Sequence, residues 1–243
     1  MVNTISISYD RLIMSNLYVV ATPIGNLGDM TYRAVEVLKH VDMILCEDTR
    51  TTGNLLKHYD IGTKTMSYHA NSDSSRTDDI ITMFLRGQNL ALVSDAGTPC
   101  VSDPGVQLIQ KINKQVWEPG SQVEIIAVPG PSAVTAAVSI AGISGNQFVF
   151  MGFLPHKKGR QTLFNEIAQS ERAVVFYESP HRIMKALESL NDVLDNARQV
   201  IICRELTKMH EQIVRGTVEE VLRYFVEHEN KVRGEFVVVI DGK

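Results

Sequence analysis

Two aspartates, two glycines and two prolines crowd into VSDAGTPCVSDPG, Val93–Gly105, directly after an apolar run. Three further stretches share this character: TPIGNLGD from Thr22, EDTRTTG from Glu47 and PGPSA from Pro129. Carboxylates accept hydrogen bonds and attract cations. Glycine lets backbone approach a ligand closely, and proline fixes the chain path while removing a donor. Ordinary tight turns use the same residues. Recurrence at the ends of four apolar runs instead points to one small-molecule cleft, suited to amino, hydroxyl or cationic groups. None of the stretches is G-x-G-x-x-G, G-x-x-x-x-G-K-[ST] or G-x-S-x-G, so dinucleotide, P-loop and serine-hydrolase chemistry find no support.

The elements that position these turns alternate between strand-like and helical patterns. LYVVA (Leu17–Ala21) precedes a helical face of Ala34, Val37, Leu38 and Val41, and DMILCE (Asp42–Glu47) precedes a helix around Leu55–Tyr59. NLALVSD (Asn89–Asp95) leads to a helix near Pro104, and VEIIAV (Val123–Val128) to a helix with Pro131 in its first turn. Such βαβ units build a largely parallel sheet covered on both faces. Beyond GISGN (Gly142–Asn146) the strands QFVFMGFL, RAVVFYE, QVIICREL, QIVRGT and GEFVVVI follow, with helices over 183–194 and 218–226. QVIICREL and QIVRGT are close enough to pair as a hairpin, which gives this part a more antiparallel character. The expected division is a tail at 1–16, with a natural start at Met14, an N-terminal α/β domain at 17–145 and a C-terminal α/β domain at 146–243.

At 243 residues and 44% hydrophobic, the chain can bury two sheet-based cores. It has no apolar run long enough for a membrane helix and no signal peptide, so a cytoplasmic location is expected. The three cysteines, Cys46, Cys100 and Cys203, are far apart and read as buried thiols; no metal site is expected. The net charge of −4 arises in residues 1–150, with 10 Lys and Arg against 14 Asp and Glu, whereas 151–243 holds 14 of each. A basic nucleic-acid footprint is therefore sought locally, and HKKGR (His156–Arg160) is the one cluster.

LYVVATPIGNLGDMTYRAVEVL, ILCEDTRTTGNLL, SYHANS, LVSDAGTPCVSDPG, VPGPSA, FMGFLP, VVFYESPHRI, ICRELTKMHE and GEFVVVI together resemble the tetrapyrrole-methylase family, in the branch that methylates small-subunit ribosomal RNA. The resemblance runs from about Leu17 to the end of the chain. It implies two α/β domains of the class III methyltransferase type with the cofactor cleft between them, and a homodimer. It also implies methyl transfer from S-adenosyl-L-methionine to a cytidine 2′-hydroxyl in the decoding region of 16S rRNA, within the small ribosomal subunit (30S). Carried onto matching positions, the implied cofactor contacts are Pro23, Ile24, Asp95, Thr98, Ser132, Ala133, Tyr177, Leu206 and Gly234. Many members continue past GEFVVVI into a small helical domain expected to aid RNA affinity.

A ribose hydroxyl is a weak nucleophile, so a positioned base aids the transfer. The candidates are Glu47, Asp48, Glu178 and His181, together with His69. Expected substrate contacts are Arg50, His69, Lys157, Lys158, Arg160 and Arg182, with Tyr68 and Phe153 as surfaces for base stacking, although core packing is the stronger expectation for Phe153. A small-molecule methyltransferase of the same fold, or a non-catalytic RNA-binding assembly factor, are the competing readings.

Overall fold

The computed structural model describes residues 13–69, 74–115, 121–143, 146–195 and 197–243. The described residues fall into two compact units, one within 1–22 and 29–130 and the other within 23–28 and 131–243.

The first unit is built on a five-stranded parallel sheet in the order β3-β2-β4-β1-β5. Its strands are β1 (Ile13–Val20), β2 (Met43–Cys46), β3 (Thr65–Ser67), β4 (Leu90–Leu92) and β5 (Ser121–Val128). Its helices are α1 (Tyr32–His40), α2 (Thr49–His58), α3 (Ser74–Leu85) and α4 (Val106–Lys114). Successive strand residues face opposite sides, so the near-continuous apolar runs feed two cores. Ile44, Cys46, Ala91 and Val93 pack with Ala34 and Leu38 of α1 and Leu56 of α2. Leu45, Leu90 and Leu92 pack with Ile80 and Phe84 of α3 and Leu108 and Ile112 of α4.

The second unit carries a mixed sheet in the order β6-β7-β10-β8-β9. Its strands are β6 (Phe148–Phe153), β7 (Ala173–Glu178), β8 (Gln199–Arg204), β9 (Gln212–Thr217) and β10 (Phe236–Ile240). Only β6 and β7 pair in parallel, and β8 with β9 forms the expected hairpin. One face is covered by α6 (Arg160–Gln169), α7 (Ile183–Asn191) and α8 (Val218–Glu227), through Phe164, Leu187 and Phe225 among others. The other receives α5 (Ala133–Ala141), whose Val134 and Ala137 meet Val175, Cys203 and Val237.

Several details differ from the sequence reading. Strand β1 begins at Ile13 rather than Leu17, because Ile13–Asn16 pair with Ser121–Glu124; residues 1–12 lie outside the described residues. The units divide at Gly130/Pro131 rather than after residue 145, since α5 belongs with the second sheet. Pro131 precedes the α5 N-cap, Ser132, instead of lying within the first turn. Helix α3 is absent from that reading, and α6 begins at Arg160, where HKKGR reads equally as a solvated loop or a helix start.

The heavily broken stretch after β4 has a tortuous backbone. Gly97, Cys100, Ser102 and Gly105 all have φ between 67° and 118°. Residues other than glycine rarely tolerate this region. At Gly105 a Cβ would fall 2.6 Å from Leu92 Cδ2 and 2.8 Å from Cys100 Sγ. Gly105→Ala should therefore destabilise the protein by about 1–3 kcal/mol, read as a lower Tm in thermal unfolding.

Candidate active site

The ends of β1, β2 and β4 hold the first group of candidate side chains. Thr22 and Gly97 exchange two backbone hydrogen bonds, of 2.9 and 3.0 Å, and the Thr22 hydroxyl donates to Ser94 O at 3.2 Å. This ties the turn after β1 to the long turn after β4 and leaves Asp95 exposed with Thr98 half-buried. From the end of β2, the Asp48 N–H donates to Asp95 Oδ1 at 3.3 Å.

The carboxylates here divide by environment. Asp48 caps α2, accepting the Arg50 N–H at 2.8 Å, and its second oxygen pairs with Arg50 Nη2 at 2.7 Å. Hydrogen bonds from Arg50 pull its carboxyl down to about 2, which makes it a poor proton acceptor. Glu47 is the opposite case. Burial, then repulsion from Asp103 and Asp95, pushes it up to about 7. Asp103 rises to about 6, from burial and the neighbouring Asp95, against a hydrogen bond from Ser94. Sequence reading did not single out Asp103; its position in a second S-D turn ten residues from Val93 was the available signal. Arg50, expected to meet substrate, is exposed and pairs with Asp48. His69 is exposed just after β3.

The second group lies in the second unit. Ile24 and Leu206 are buried in one apolar cluster, with Ala133 and Tyr177 packed against it. Pro23 is buried and Ser132 half-buried at the α5 N-cap. Leu206 lies in a strained turn, with Glu205 at φ 53° and Thr207 at φ 65°. The Thr207 hydroxyl is buried with no hydrogen-bond partner among the described residues. Gly234 has φ 90°, and a Cβ there would fall 2.5 Å from the Glu205 carboxyl carbon, so this glycine is required by its protein neighbour. Within this unit, the apolar bed and the orphaned hydroxyl suit a flat, hydroxyl-bearing group.

Glu178 occupies a different role from the expected base. It is 1% exposed. Its Oε1 accepts from the Ser179 N–H and Arg182 Nε, both at 2.8 Å, and its Oε2 from Arg160 Nη2 at 2.7 Å. Arg182 Nη1 also donates to Leu154 O and Arg160 Nη1 to Pro155 O. Arg160 and Arg182 are thus internal clamps rather than phosphate ligands. They leave Lys157 and Lys158 exposed on the loop they hold, and His181 exposed before α7. The aromatic expectation reverses: Phe153 is 55% exposed, against the Tyr177 ring, whereas Tyr68 is 4% exposed. A register shift between Phe150 and Phe153, with Gly152 at φ 62°, accounts for the outward Phe153.

Two measurements follow from these charges. Glu47 retains its proton in the folded chain up to about pH 7, whereas the unfolded carboxyl loses it near the ordinary glutamate value of 4.5. More protons are bound in the folded state across that window, so stability falls as pH rises through it. Glu47→Gln should raise Tm at pH 8 by about 2–4 °C, on the order of 1 kcal/mol after solvent screening, and leave Tm nearly unchanged at pH 4. Glu178→Gln breaks a buried ion-pair cluster and should cost about 3–5 kcal/mol in denaturant unfolding.

Residues 16–222 match the model of the Tetrapyrrole (Corrin/Porphyrin) Methylases. The ribosomal RNA small subunit methyltransferase I of Synechocystis sp. is 47% identical over 230 residues, covering 94% of this chain and 80% of that protein. The protein of the same name from Thermotoga maritima is 41% identical, covering 95% of this chain and 100% of its own. Among solved structures, a cobalt precorrin-4 methyltransferase of cobalamin biosynthesis aligns with TM-score 0.66 at 16% identity, over 93% of this chain and 95% of its own. The methyltransferase CobJ does so at 0.66 and 17%, over 94% and 93%. At those identities the likeness is one of fold alone, whereas the sequence relatives are far closer. The chain belongs to the tetrapyrrole (corrin/porphyrin) methylase family and, within it, to the ribosomal RNA small subunit methyltransferase I group.

Proposed function

We propose that the protein transfers a methyl group from S-adenosyl-L-methionine to the ribose 2′-hydroxyl of a cytidine in the decoding region of 16S rRNA, acting on the 30S subunit in the cytoplasm as a homodimer. The observation that carries this reading is the 47% identity, over 94% of the chain, to a relative named for that class of substrate. It is supported by the donor set at the strand ends. Asp95 and Thr98 in the first unit, and Pro23, Ile24, Ser132, Ala133, Tyr177, Leu206 and Gly234 in the second, would hold the cofactor. When bound, it would supply an electrophilic methyl carried on a sulfonium.

The chain's own residues supply position and proton transfer. Glu47 is the base best matched to the task, because a carboxyl near 7 accepts a proton from the hydroxyl at neutral pH and releases it afterwards. Asp48, held near 2 by Arg50, stays ionised and keeps Asp95 in place through its N–H. Lys157 and Lys158 neutralise backbone phosphates, and Phe153 offers an exposed ring to an unpaired base. No helix among the described residues is long and apolar enough to cross a membrane, and none of their His, Cys, Asp and Glu side chains group into a metal site.

The deciding assay uses methyl-labelled S-adenosyl-L-methionine and 30S subunits from cells lacking the native modification. Label at one cytidine 2′-oxygen is expected; absence of label with cofactor binding intact would overturn the substrate. Glu47→Gln should lower kcat by about 10²–10⁴-fold, and the wild-type kcat should rise with pH to a plateau above about 7.

A further inference from the structure

The first unit contains a cavity of about 300 Å³ between the end of β3 and the start of α4. It is independent of the residues assigned above to the cofactor. Its walls include Tyr68, His69, Asp103, Pro104, Val106 and Gln107. This volume is at the lower end of small-molecule sites, roughly 300–1,000 Å³, with room for one nucleobase and its sugar. Pro104 and the 43%-exposed Val106 give apolar surface for the face of a flat ring. The polar groups differ in kind: Asp103 accepts, the Gln107 amide donates and accepts, and His69 contributes an imidazole. Gly105, with φ 118°, has no room for a side chain, and this backbone turns Asp103 and Val106 to one cavity. The segment that carries Asp103 is also tied to the neighbour of the proposed base, since Asp95 Oδ1 accepts the Asp48 N–H at 3.3 Å.

We propose that this cavity receives the base of the target cytidine, extruded from the RNA, with Asp103 accepting from the cytosine N4 amino group and Gln107 donating to O2 or N3. The assignment rests on the RNA methyltransferase reading and adds the specificity determinant to it. An enzyme acting on a nucleotide within folded RNA gains access by unstacking it, and a pocket that satisfies the extruded base offsets that cost. Asp103 distinguishes the two pyrimidines. Cytosine presents N4–H donors to a carboxylate, an established pairing. Uracil presents the O4 acceptor, which leaves two acceptors facing each other and neither hydrogen-bonded. Ribose 2′-hydroxyls are identical on both nucleotides, so base choice has to come from such a contact.

The test compares unmodified 30S subunits carrying the target cytidine with subunits carrying uridine there, at pH 8. kcat/KM is measured for both, and the Kd for S-adenosyl-L-methionine is measured separately. The wild type should favour cytidine by about tenfold to a hundredfold, the discrimination typical of one good base contact. Asp103→Asn should reduce that preference to about twofold or less while the cofactor Kd is retained. Gln107 is exposed, so Gln107→Ala leaves the core intact; it should raise KM for cytidine subunits about fivefold or more with kcat retained. A wild type that methylates both subunits equally, or an Asp103→Asn enzyme with wild-type preference, overturns the pocket. Should Asp103→Asn fail to fold, Gln107→Ala decides, and an unchanged KM rejects the assignment. A wild type that binds cofactor but methylates neither subunit instead removes the underlying RNA reading.

Discussion

The two reciprocal hydrogen bonds between Thr22 and Gly97 are the constraint on which the first unit's chemistry depends. Strands β1 and β4 are neighbours in a parallel sheet, so their carboxyl ends emerge side by side. Without a tie, the segments that follow would be two independent surface loops. The antiparallel bridge makes them one rigid edge, and the buried Thr22 hydroxyl adds a bond to Ser94 O from the same turn. Gly97 meets this geometry at φ 85°, a conformation easy for glycine. Open α/β sheets bind ligands at such carboxyl ends because strand termini direct backbone groups and turns into one crevice. Here the bridge sets where Asp95 and Thr98 stand.

That edge is built against the electrostatic preference of the fold. Burial raises the carboxyls of Glu47 and Asp103, and like charge adds to it, from Asp103 and Asp95 on Glu47 and from Asp95 on Asp103. A structure selected only for stability would disperse these charges or place a cation among them. Arg50 is nearby, yet its guanidinium is taken by Asp48. The arrangement leaves two carboxyls titrating near neutrality, the property that acid–base work requires. Unfavourable φ values at Cys100 and Ser102 belong to the same segment. Strain and like-charge crowding thus coincide along one segment, while α1 and α2 carry side-chain N-caps from Thr31 and Asp48.

Much of this was legible in the residues. The β-runs were readable because buried parallel strands are almost continuously apolar, and the crowded Gly, Pro and Asp marked where they stop. Helix α3 was harder: Ser74–Leu85 has polar residues through its first half, and only Ile80, Ile81 and Phe84 reveal a buried face. Helix α6 was ambiguous because it begins at Arg160, inside a basic run that reads equally as a solvated loop or a helix start. The first strand's true start at Ile13 depends on pairing with β5, more than a hundred residues away, which no local pattern encodes. Tyr68 and Phe153 exchanged their expected exposures for a similar reason. A bulge, invisible in composition, turns Phe153 outward.

The charged motifs HKKGR and YESPHR show most clearly what spacing alone leaves open. Each presents as a set of reactive or phosphate-binding groups, but the fold sorts their charges by type. Arginine's planar, weakly hydrated fork can satisfy a buried carboxylate in several directions, whereas lysine's ammonium is strongly hydrated and costly to bury. Arg160 and Arg182 accordingly turn inward to Glu178 and to the carbonyls of Pro155 and Leu154. Lys157 and Lys158, one turn of chain away, remain in water. A buried acid flanked by two arginines fixes both ends of the loop that carries the lysines. The inward pair supplies shape and the outward pair supplies charge, so the surface available to a polyanion is defined by residues that never reach it.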